Sequence, residues 1–356
     1  MHQLELIHVV RRYGPVGGME RYVWELTREL QQLGHRVSVI CERCHVEKPA
    51  GITVYELGEI APRPRWLGLL RFGRRVARFL ADHPFPNSVI HSHERLSIHH
   101  ITTFHGPPFA TVLDKPWWRL ISLRIAMHLF LERRELSTPR LVVPNSRFIK
   151  QSIAHYYPEL AHQLTEPIVP GVVPGVLREP RTVPPNAGIV GFVGKEWQRK
   201  GLPWAVQVVA ALRRTRPDLQ LHVVGPTPAD VMHLFADWRG GYELLGWSDQ
   251  AHYAEFDVLL HPAKAEPYGM VISEAMAAKV PVVISDVCGA AEHVSVASGA
   301  VLPLSAPLDA WVSALDQQLS RSEPVPQFER SWRKVAQEYG KIYAEILSFL
   351  VKRRAS

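Results

Sequence analysis

Two glutamates, Glu266 and Glu274, lie on either side of Gly269. Gly269 precedes a run of good helix formers, so the chain passes from the loop of Glu266 directly into a helix that carries Glu274. The free N–H groups and the positive dipole end of a helix start attract anions. Because carboxylates would repel phosphate, we expect both glutamates to bind hydroxyl groups at the two ends of a phosphate-bearing ligand. A nucleotide sugar has such groups on its ribose and its hexose.

A second set of charged residues, Lys195, Arg199 and Lys200, lies in a loop between a strand and a helix that begins after Gly201. An arginine can bind two phosphate oxygens at once and a lysine adds a point charge. The loop therefore predicts a diphosphate site that needs no metal. A solvated charged turn is the alternative interpretation.

The elements around these residues follow an α/β pattern. Hydrophobic patterning predicts a strand at 256–261, a helix at 270–279 and a strand at 281–285, which together form a compact βαβ unit. Near the N-terminus, Gly17 and Gly18 separate a strand from a helix. The full GxGxxG fingerprint is missing there and no acid follows the second strand, which disfavours a nicotinamide-dependent dehydrogenase.

The run EPYGMVISEAMAAKVPVV, with its Glu-x7-Glu pattern, resembles the donor-site signature of retaining glycosyltransferases of family four. The resemblance implies the GT-B fold: two Rossmann-like β/α/β domains that face each other across a cleft, with a C-terminal helix that crosses back to the first domain. It implies that Glu266 contacts the donor sugar and that Glu274 holds the ribose. The backbone amides of Gly269, Met270 and Val271 would contact the sugar and the diphosphate.

Two segments of the first half extend the resemblance. Gly17 and Gly18 resemble the family's glycine loop, which lies against the donor diphosphate and the acceptor. The segment TTFHG resembles the family element whose histidine reaches the donor sugar, which assigns that role to His105. His93, at the end of the preceding strand, is a second candidate for lining the same site.

In the second half, the RKG element resembles the family's diphosphate-binding segment, so Arg199 and Lys200, with Lys195 beside them, take that role. We expect catalysis by positioning and electrostatics, with His105 and Glu266 orienting the sugar. The departing phosphate itself would assist the acceptor hydroxyl on the same face, as the family implies. Asp-x-Asp does not occur in the sequence, which counts against the metal-dependent GT-A architecture, and we expect neither a metal nor another cofactor.

A stretch dense in Pro and Gly around 168–188 predicts a linker. We expect an acceptor-binding domain at 1–170 and a nucleotide-sugar-binding domain at 171–337. A crossing helix at about 338–356 would return to the first domain.

The positive charge lies in the first half, where residues 1–170 hold 22 Lys and Arg against 15 Asp and Glu. Nucleic acid, an anionic membrane or an anionic acceptor would each explain it. Segments 62–80 and 115–134 combine basic residues with Trp, Leu and Phe, which favours peripheral contact with an anionic membrane over nucleic acid. The alternative is that the apolar residues are core and the arginines a solvated face. No apolar run reaches the length of a membrane span.

Histidines and cysteines give weaker signals. The stretch 89–108 is rich in histidine, but the spacing matches no common zinc pattern. Three cysteines are too few for a disulfide framework, and Met1 runs directly into a strand-like segment rather than a signal peptide. These observations favour a cytoplasmic protein.

The runs RKG, LLHPA and ISDVCG resemble bacterial lipopolysaccharide core glucosyltransferases. That resemblance implies transfer of a hexose, with UDP-glucose as the favoured donor, to an anionic glycolipid or saccharide acceptor at the inner face of the plasma membrane. A GDP-mannose-dependent mannosyltransferase is the nearest alternative. A GT-B epimerase acting on UDP-N-acetylglucosamine and a basic nucleic-acid-binding protein are the others.

Overall fold

The computed structural model describes residues 3–61, 63–173, 175–248 and 252–355, except for the side chains of residues 119 and 353–355. The chain divides into two compact units. Unit 1 comprises residues 1–171 and 330–356, and unit 2 comprises residues 172–329.

Unit 1 contains a six-stranded parallel sheet. Its strands are β1 (Glu5–Val9), β3 (Arg36–Cys41), β5 (Ile52–Glu56), β6 (Ser88–Ser92), β7 (Ile101–Phe104) and β8 (Leu141–Pro144), and the short strands β2 (Arg12–Tyr13) and β4 (Arg43–Cys44) pair separately. The helices are α1 (Gly18–Gln32), α2 (Arg65–Asp82), α3 (Leu123–Ser137), α4 (Arg147–Tyr156) and α9 (Trp332–Ala355). The strand order is β5-β3-β1-β6-β7-β8, so the winding reverses between β1 and β6, where α/β sheets bind ligands at the carboxyl ends of the strands.

Unit 2 repeats this architecture. Its strands are β9 (Ala187–Val193), β10 (Asp218–Val224), β11 (Tyr242–Gly246), β12 (Val258–His261), β13 (Val282–Ser285) and β14 (Gly299–Leu302), in the order β11-β10-β9-β12-β13-β14. The helices are α5 (Leu202–Leu212), α6 (Pro228–Val231), α7 (Met270–Ala277) and α8 (Leu308–Leu319). The predicted βαβ unit is therefore present as β12, α7 and β13, and the winding reverses between β9 and β12.

Buried apolar side chains on both faces of each sheet explain why these strands read as hydrophobic runs in the sequence. In unit 2, Trp311 of α8 is fully buried in the core that β9, β10 and α5 share. In unit 1, α1 buries Val23, Leu26 and Leu30 at helical spacing. Gly34, two residues after the end of α1, has a φ of 89°, which suits glycine.

The C-terminal helix α9 packs within unit 1, as the resemblance implies. The Tyr339 hydroxyl lies 2.9 Å from that of Tyr22 in α1. The C-terminal segment joins unit 1 from Arg330, earlier than the expected residue 338. The reason is that the Arg330 guanidinium already donates to the Val169 carbonyl and that Trp332 meets Tyr22 edge-on at 5.1 Å.

The two segments predicted to contact a membrane differ from each other in the structure. In α2 the apolar face is turned inward, burying Leu69, Phe72 and Val76, and its arginines lie on the exposed face. Segment 115–134 is not one amphipathic helix: a short 3₁₀ turn at Trp117–Arg119 precedes α3. Within the described residues, none of the helices combines the length and the apolar character needed to cross a bilayer.

Candidate active site

The candidate diphosphate residues and one of the two glutamates meet at the carboxyl ends of β9 and β12 in unit 2. Lys200 Nζ lies 2.8 Å from Glu266 Oε2, and Arg199 Nη1 lies 3.6 Å from the same oxygen. Arg199 also pairs with Glu196, three residues earlier. The structure therefore brings together Arg199, Lys200 and Glu266.

The loop of Arg199 and Lys200 is fastened to the loop that carries Glu266. The backbone N–H of Lys264 donates to the Arg199 carbonyl at 2.8 Å, and the Arg199 guanidinium donates to the Ala265 carbonyl. Helix α5 starts after Gly201, whose φ is 83°. A Cβ at this position would lie 2.0 Å from the Pro262 carbonyl oxygen, so only glycine allows the two loops to approach this closely.

Glu266 is buried and ionised. Burial raises the pKa of this carboxyl. The charge of Lys200, the hydrogen bond from His261 and the charge of Arg199 together lower it by more than burial raises it, so the pKa lies well below its usual range. A carboxylate so strongly ionised can accept hydrogen bonds from hydroxyl groups at any physiological pH.

His261, the last residue of β12, is a site residue that the sequence reasoning missed. It is fully buried, its Nε2 lies 3.3 Å from Glu266 Oε2, and burial lowers its pKa. The ring is therefore neutral and donates through Nε2. A histidine in the run LLHPA, one loop before the first glutamate, was the available signal, but a single polar residue inside an apolar strand is common in cores.

Helix α7 begins immediately after Gly269, which has a φ of 94°. The first intrahelical contact is from Ile272 N–H to the Gly269 carbonyl at 2.9 Å. The N–H groups of Met270 and Val271 lie in the first turn, where a helix offers no carbonyl acceptors of its own. They follow Glu266 by four and five positions and supply the positive end of the helix dipole.

Glu274, one turn inside α7, is half-buried and accepts a 2.6 Å hydrogen bond from the hydroxyl of Tyr253. Tyr253 lies in a 3₁₀ turn just before β12 and was not a sequence candidate. The contact fixes one carboxylate oxygen of Glu274. Lys195, at the mouth of the same sheet, is exposed and its Nζ lies 4.7 Å from the centre of the Trp247 ring.

The remaining candidates lie in unit 1. Gly17 and Gly18 form the start of α1, and Tyr22 of this helix meets His105 edge-on at 4.8 Å. His105 follows β7, is partly exposed, and its Nε2 lies 2.9 Å from His93 Nδ1. Burial lowers the pKa of His105 to about 3, so the ring is neutral.

In the described part of the chain, the residues whose ligand atoms are grouped closely enough for a metal are His8, His91 and His93, within 4.8 Å of one another. Both nitrogens of His91 already contact hydroxyl groups, those of Tyr343 and Thr103. His8 and His93 contact each other. These contacts occupy both nitrogens of His91 and one nitrogen of His8, and we assign no metal to the group.

Comparison with known proteins identifies the family to which the two units are similar. The family model described as Glycosyltransferase Family 4 matches residues 16–175, and the model described as Glycosyl transferases group 1 matches residues 187–321. A GDP-mannose-dependent alpha-mannosyltransferase of Mycolicibacterium smegmatis is 26% identical over 311 residues, which cover 77% of each chain. The lipopolysaccharide glucosyltransferase WaaG of Escherichia coli K12 is 27% identical over 163 residues, covering 38% of this chain and 42% of WaaG.

Among solved structures, that of WaaG, a glycosyltransferase involved in lipopolysaccharide biosynthesis, superposes with a TM-score of 0.75 at 18% identity and covers 94% of this chain and 95% of WaaG. The two family models together span most of the sequence and coincide with the two α/β units. The resemblance read from the Glu-x7-Glu run is thus confirmed: the chain belongs to the family-four glycosyltransferases with the GT-B fold.

Proposed function

We propose that this glycosyltransferase transfers a hexose from a nucleotide-diphosphate sugar, UDP-glucose in the first instance, with retention of anomeric configuration and without a metal. The observation that carries the proposal is the meeting of Lys200 and Arg199 with Glu266. Two cations held at the carboxyl ends of parallel strands, beside the start of α7, suit a diphosphate whose negative charge grows as the sugar leaves.

Each residue then has a defined task. The donor diphosphate takes the place of the Glu266 carboxylate on Lys200 and Arg199, and the amides of Met270 and Val271 bind its oxygens. Glu266 is thereby released to accept hydrogen bonds from the hexose hydroxyls. A phosphate oxygen of the leaving group accepts the proton of the attacking hydroxyl on the same face of the sugar, and this accounts for retention.

The other candidates fix the two ends of the donor. Glu274, oriented by Tyr253, accepts hydrogen bonds from the ribose hydroxyls. His105 contacts the hexose, and Gly17 and Gly18 allow the backbone to approach the diphosphate closely. The site thus works through positioning and electrostatic stabilisation.

For the acceptor we propose an anionic glycolipid or saccharide of the lipopolysaccharide core type at the inner face of the plasma membrane, with the protein in the cytoplasm and peripheral to that membrane. The region preceding and opening α3 supports this, because Trp117, Trp118, Ile121 and Leu123 are 62–75% exposed. Tryptophan and basic residues together favour a membrane interface. Helix α2 adds exposed arginines, which anionic lipids attract.

GDP-mannose is the second candidate donor. It is favoured by the Mycolicibacterium smegmatis mannosyltransferase, which matches 77% of this chain, whereas the glucosyltransferase WaaG matches 38% in sequence. The residues of the diphosphate site suit either donor, so the choice between them rests on the nucleobase and the hexose.

The proposal is tested by measuring melting temperature against a panel of UDP-glucose, GDP-mannose, UDP-N-acetylglucosamine and the free nucleotides, each with and without EDTA. A donor at about 100 times its Kd stabilises the native state by roughly 2.7 kcal/mol. We expect UDP-glucose to raise the melting temperature equally in both conditions, and NMR of the transferred sugar to show a retained anomer. If none of the nucleotide sugars raises it, the proposal fails; conversion of UDP-N-acetylglucosamine without an acceptor would identify an epimerase instead.

A further inference from the structure

Three histidines of unit 1 form a continuous hydrogen-bonded chain that leads from the core of this unit to His105. His8 Nδ1 lies 3.1 Å from His93 Nε2, and His93 Nδ1 lies 2.9 Å from His105 Nε2. His8 is fully buried, His93 is 4% exposed and His105 is partly exposed. They come from β1 and from the ends of β6 and β7, where the backbone N–H of His93 donates to the Val9 carbonyl at 3.0 Å.

All three rings are neutral. Burial lowers the pKa of His8 and of His105 to about 3, and it lowers the pKa of His93 well below the usual value. A neutral imidazole has one N–H donor and one bare acceptor nitrogen. Because His93 uses both nitrogens inside the chain, the direction of donation in one bond fixes the direction in the other. The chain therefore has two possible directions, and each gives His105 a different tautomer.

The buried end of the chain selects one direction. Among the described residues, His8 Nε2 has no hydrogen-bond partner. If the His93 ring donated toward His8, then Nε2 of His8 would carry the proton, and a buried N–H would be left without an acceptor. Such orphaned donors are rarer in proteins than orphaned acceptors. The favoured direction therefore places the His8 proton on Nδ1, which donates to His93 Nε2.

We propose that His8 and His93 are positioning residues that fix the tautomer of His105. His93 Nδ1–H donates to His105 Nε2, so His105 carries its proton on Nδ1. His105 then presents an N–H donor, and its ligand must offer an acceptor oxygen, such as that of a sugar hydroxyl. This role for the ligand rests on the proposed function, whereas the tautomer itself does not.

The first measurement needs no ligand and observes the unaltered protein, with one variant used only to assign its signals. In the full-length protein labelled with ¹⁵N-histidine, two-bond ¹H–¹⁵N correlation spectra distinguish protonated from bare ring nitrogens, and the spectrum of His105→Gln assigns the signal. We expect a protonated Nδ1 and a bare Nε2 at His105. A protonated Nε2 at His105 overturns the proposal, whether or not the protein turns over UDP-glucose.

Variants of His8 then test the coupling. His8→Leu removes the donor that sets the direction, so we expect mixed tautomers at His105 and a kcat lower by about tenfold, the worth of one well-placed hydrogen bond. His8→Asn places an amide donor near the position of Nδ1 and should restore a single tautomer. His99→Leu, a substitution of a buried histidine outside the chain, is the matched control.

The outcomes separate the two proposals. If His8→Leu and His8→Asn leave the tautomer of His105 equally unchanged, His8 does not position His105 and the inference fails. If the tautomer is as expected but nucleotide sugars neither bind nor react, the inference stands and the proposed function fails.

Discussion

Lys200 and Glu266 form an ion pair in which both side chains are largely withdrawn from solvent, with 13% and 9% of their side-chain surface exposed. Each charge compensates the other in the interior of unit 2, where a buried charge without a partner would be strongly destabilising. The cation assigned to the donor diphosphate is thus occupied by a carboxylate of the same chain. Donor binding at this point exchanges one anion for another instead of burying a new one.

Lys200→Ala should lower kcat by about 10²–10³-fold, because it removes a charge that stabilises the leaving diphosphate. It should also lower the melting temperature, since the buried Glu266 carboxylate would lose its nearest cation and keep the contacts with Arg199 and His261. Steady-state kinetics and thermal unfolding measure the two effects. Lys264→Ala is the control, because Lys264 lies in the adjoining loop with an exposed side chain. Near-normal kcat in Lys200→Ala would remove the diphosphate assignment.

Tyr253→Phe should raise the KM for the donor by roughly fivefold, the worth of about 1 kcal/mol, because Glu274 loses the hydroxyl that orients it toward the ribose. The kcat should change little, since the ribose is remote from the reacting bond and is bound equally in the ground and transition states. Tyr156→Phe, which removes a hydroxyl bonded to Asp114 in unit 1, is the matched control. A lower kcat at unchanged KM would instead place Tyr253 in the chemical step.

The sequence predicts local units well and distant contacts poorly. The β12, α7 and β13 unit could be predicted because an apolar strand, a glycine and a run of helix formers follow one another, and its charged partner loop could be predicted from RKG. The His8 and His93 contact could not, because 85 positions separate the two residues. It arises only when β1 and β6 become neighbours in the sheet, and helical or strand periodicity does not specify that order.

The amphipathic segments show a different limit. The alternation of arginine with Leu, Phe and Val in α2 identifies a helix with one apolar face, but the same pattern fits a membrane surface and a protein core. The structure assigns the apolar face to the core, where Phe72 and Val76 are buried. In α3 several inward positions are polar, including Glu132 and Glu135, and the periodicity of apolar residues does not reveal them.

Replacing Trp117 and Trp118 together with alanine should weaken binding to vesicles that contain phosphatidylglycerol by at least about tenfold, because both rings are exposed and available for burial in the interface. Co-sedimentation measures the binding. Val296→Ala, which removes an exposed apolar residue of unit 2, is the control. Equal binding of the tryptophan variant and the unaltered protein would contradict membrane contact through this segment.

Arg71→Ala with Arg74→Ala should weaken binding to anionic vesicles only at low salt, because salt at higher concentration screens the charges of the two arginines.

Glu135 shares a single cation with a second buried carboxylate. Arg95 lies 2.9 Å from Glu132 and 3.6 Å from Glu135. Glu132 also accepts hydrogen bonds from the amides of Phe109 and Ala110 and from the Tyr157 hydroxyl. Burial raises the pKa of Glu135 to about 8 despite the attraction of Arg95, and Glu135 is the carboxyl that holds a proton.

Glu135→Gln should therefore change how stability depends on pH. The folded state binds the Glu135 proton up to about pH 8, whereas the unfolded chain releases it near pH 4.5, so the contribution of this group is present below pH 4.5 and is lost as the pH rises toward 8. Glutamine mimics the protonated form and does not titrate, so the variant should gain on the unaltered protein by up to about 1.4 kcal/mol per pH unit across this window. Urea unfolding of both proteins between pH 5 and 8 measures the difference, in which the titrations of other groups cancel. Glu159→Gln, in an exposed ion pair with Arg133, should show a small difference that does not grow with pH. A constant difference for Glu135→Gln as well would mean that Glu135 is ionised in the folded protein, with Arg95 compensating both carboxylates.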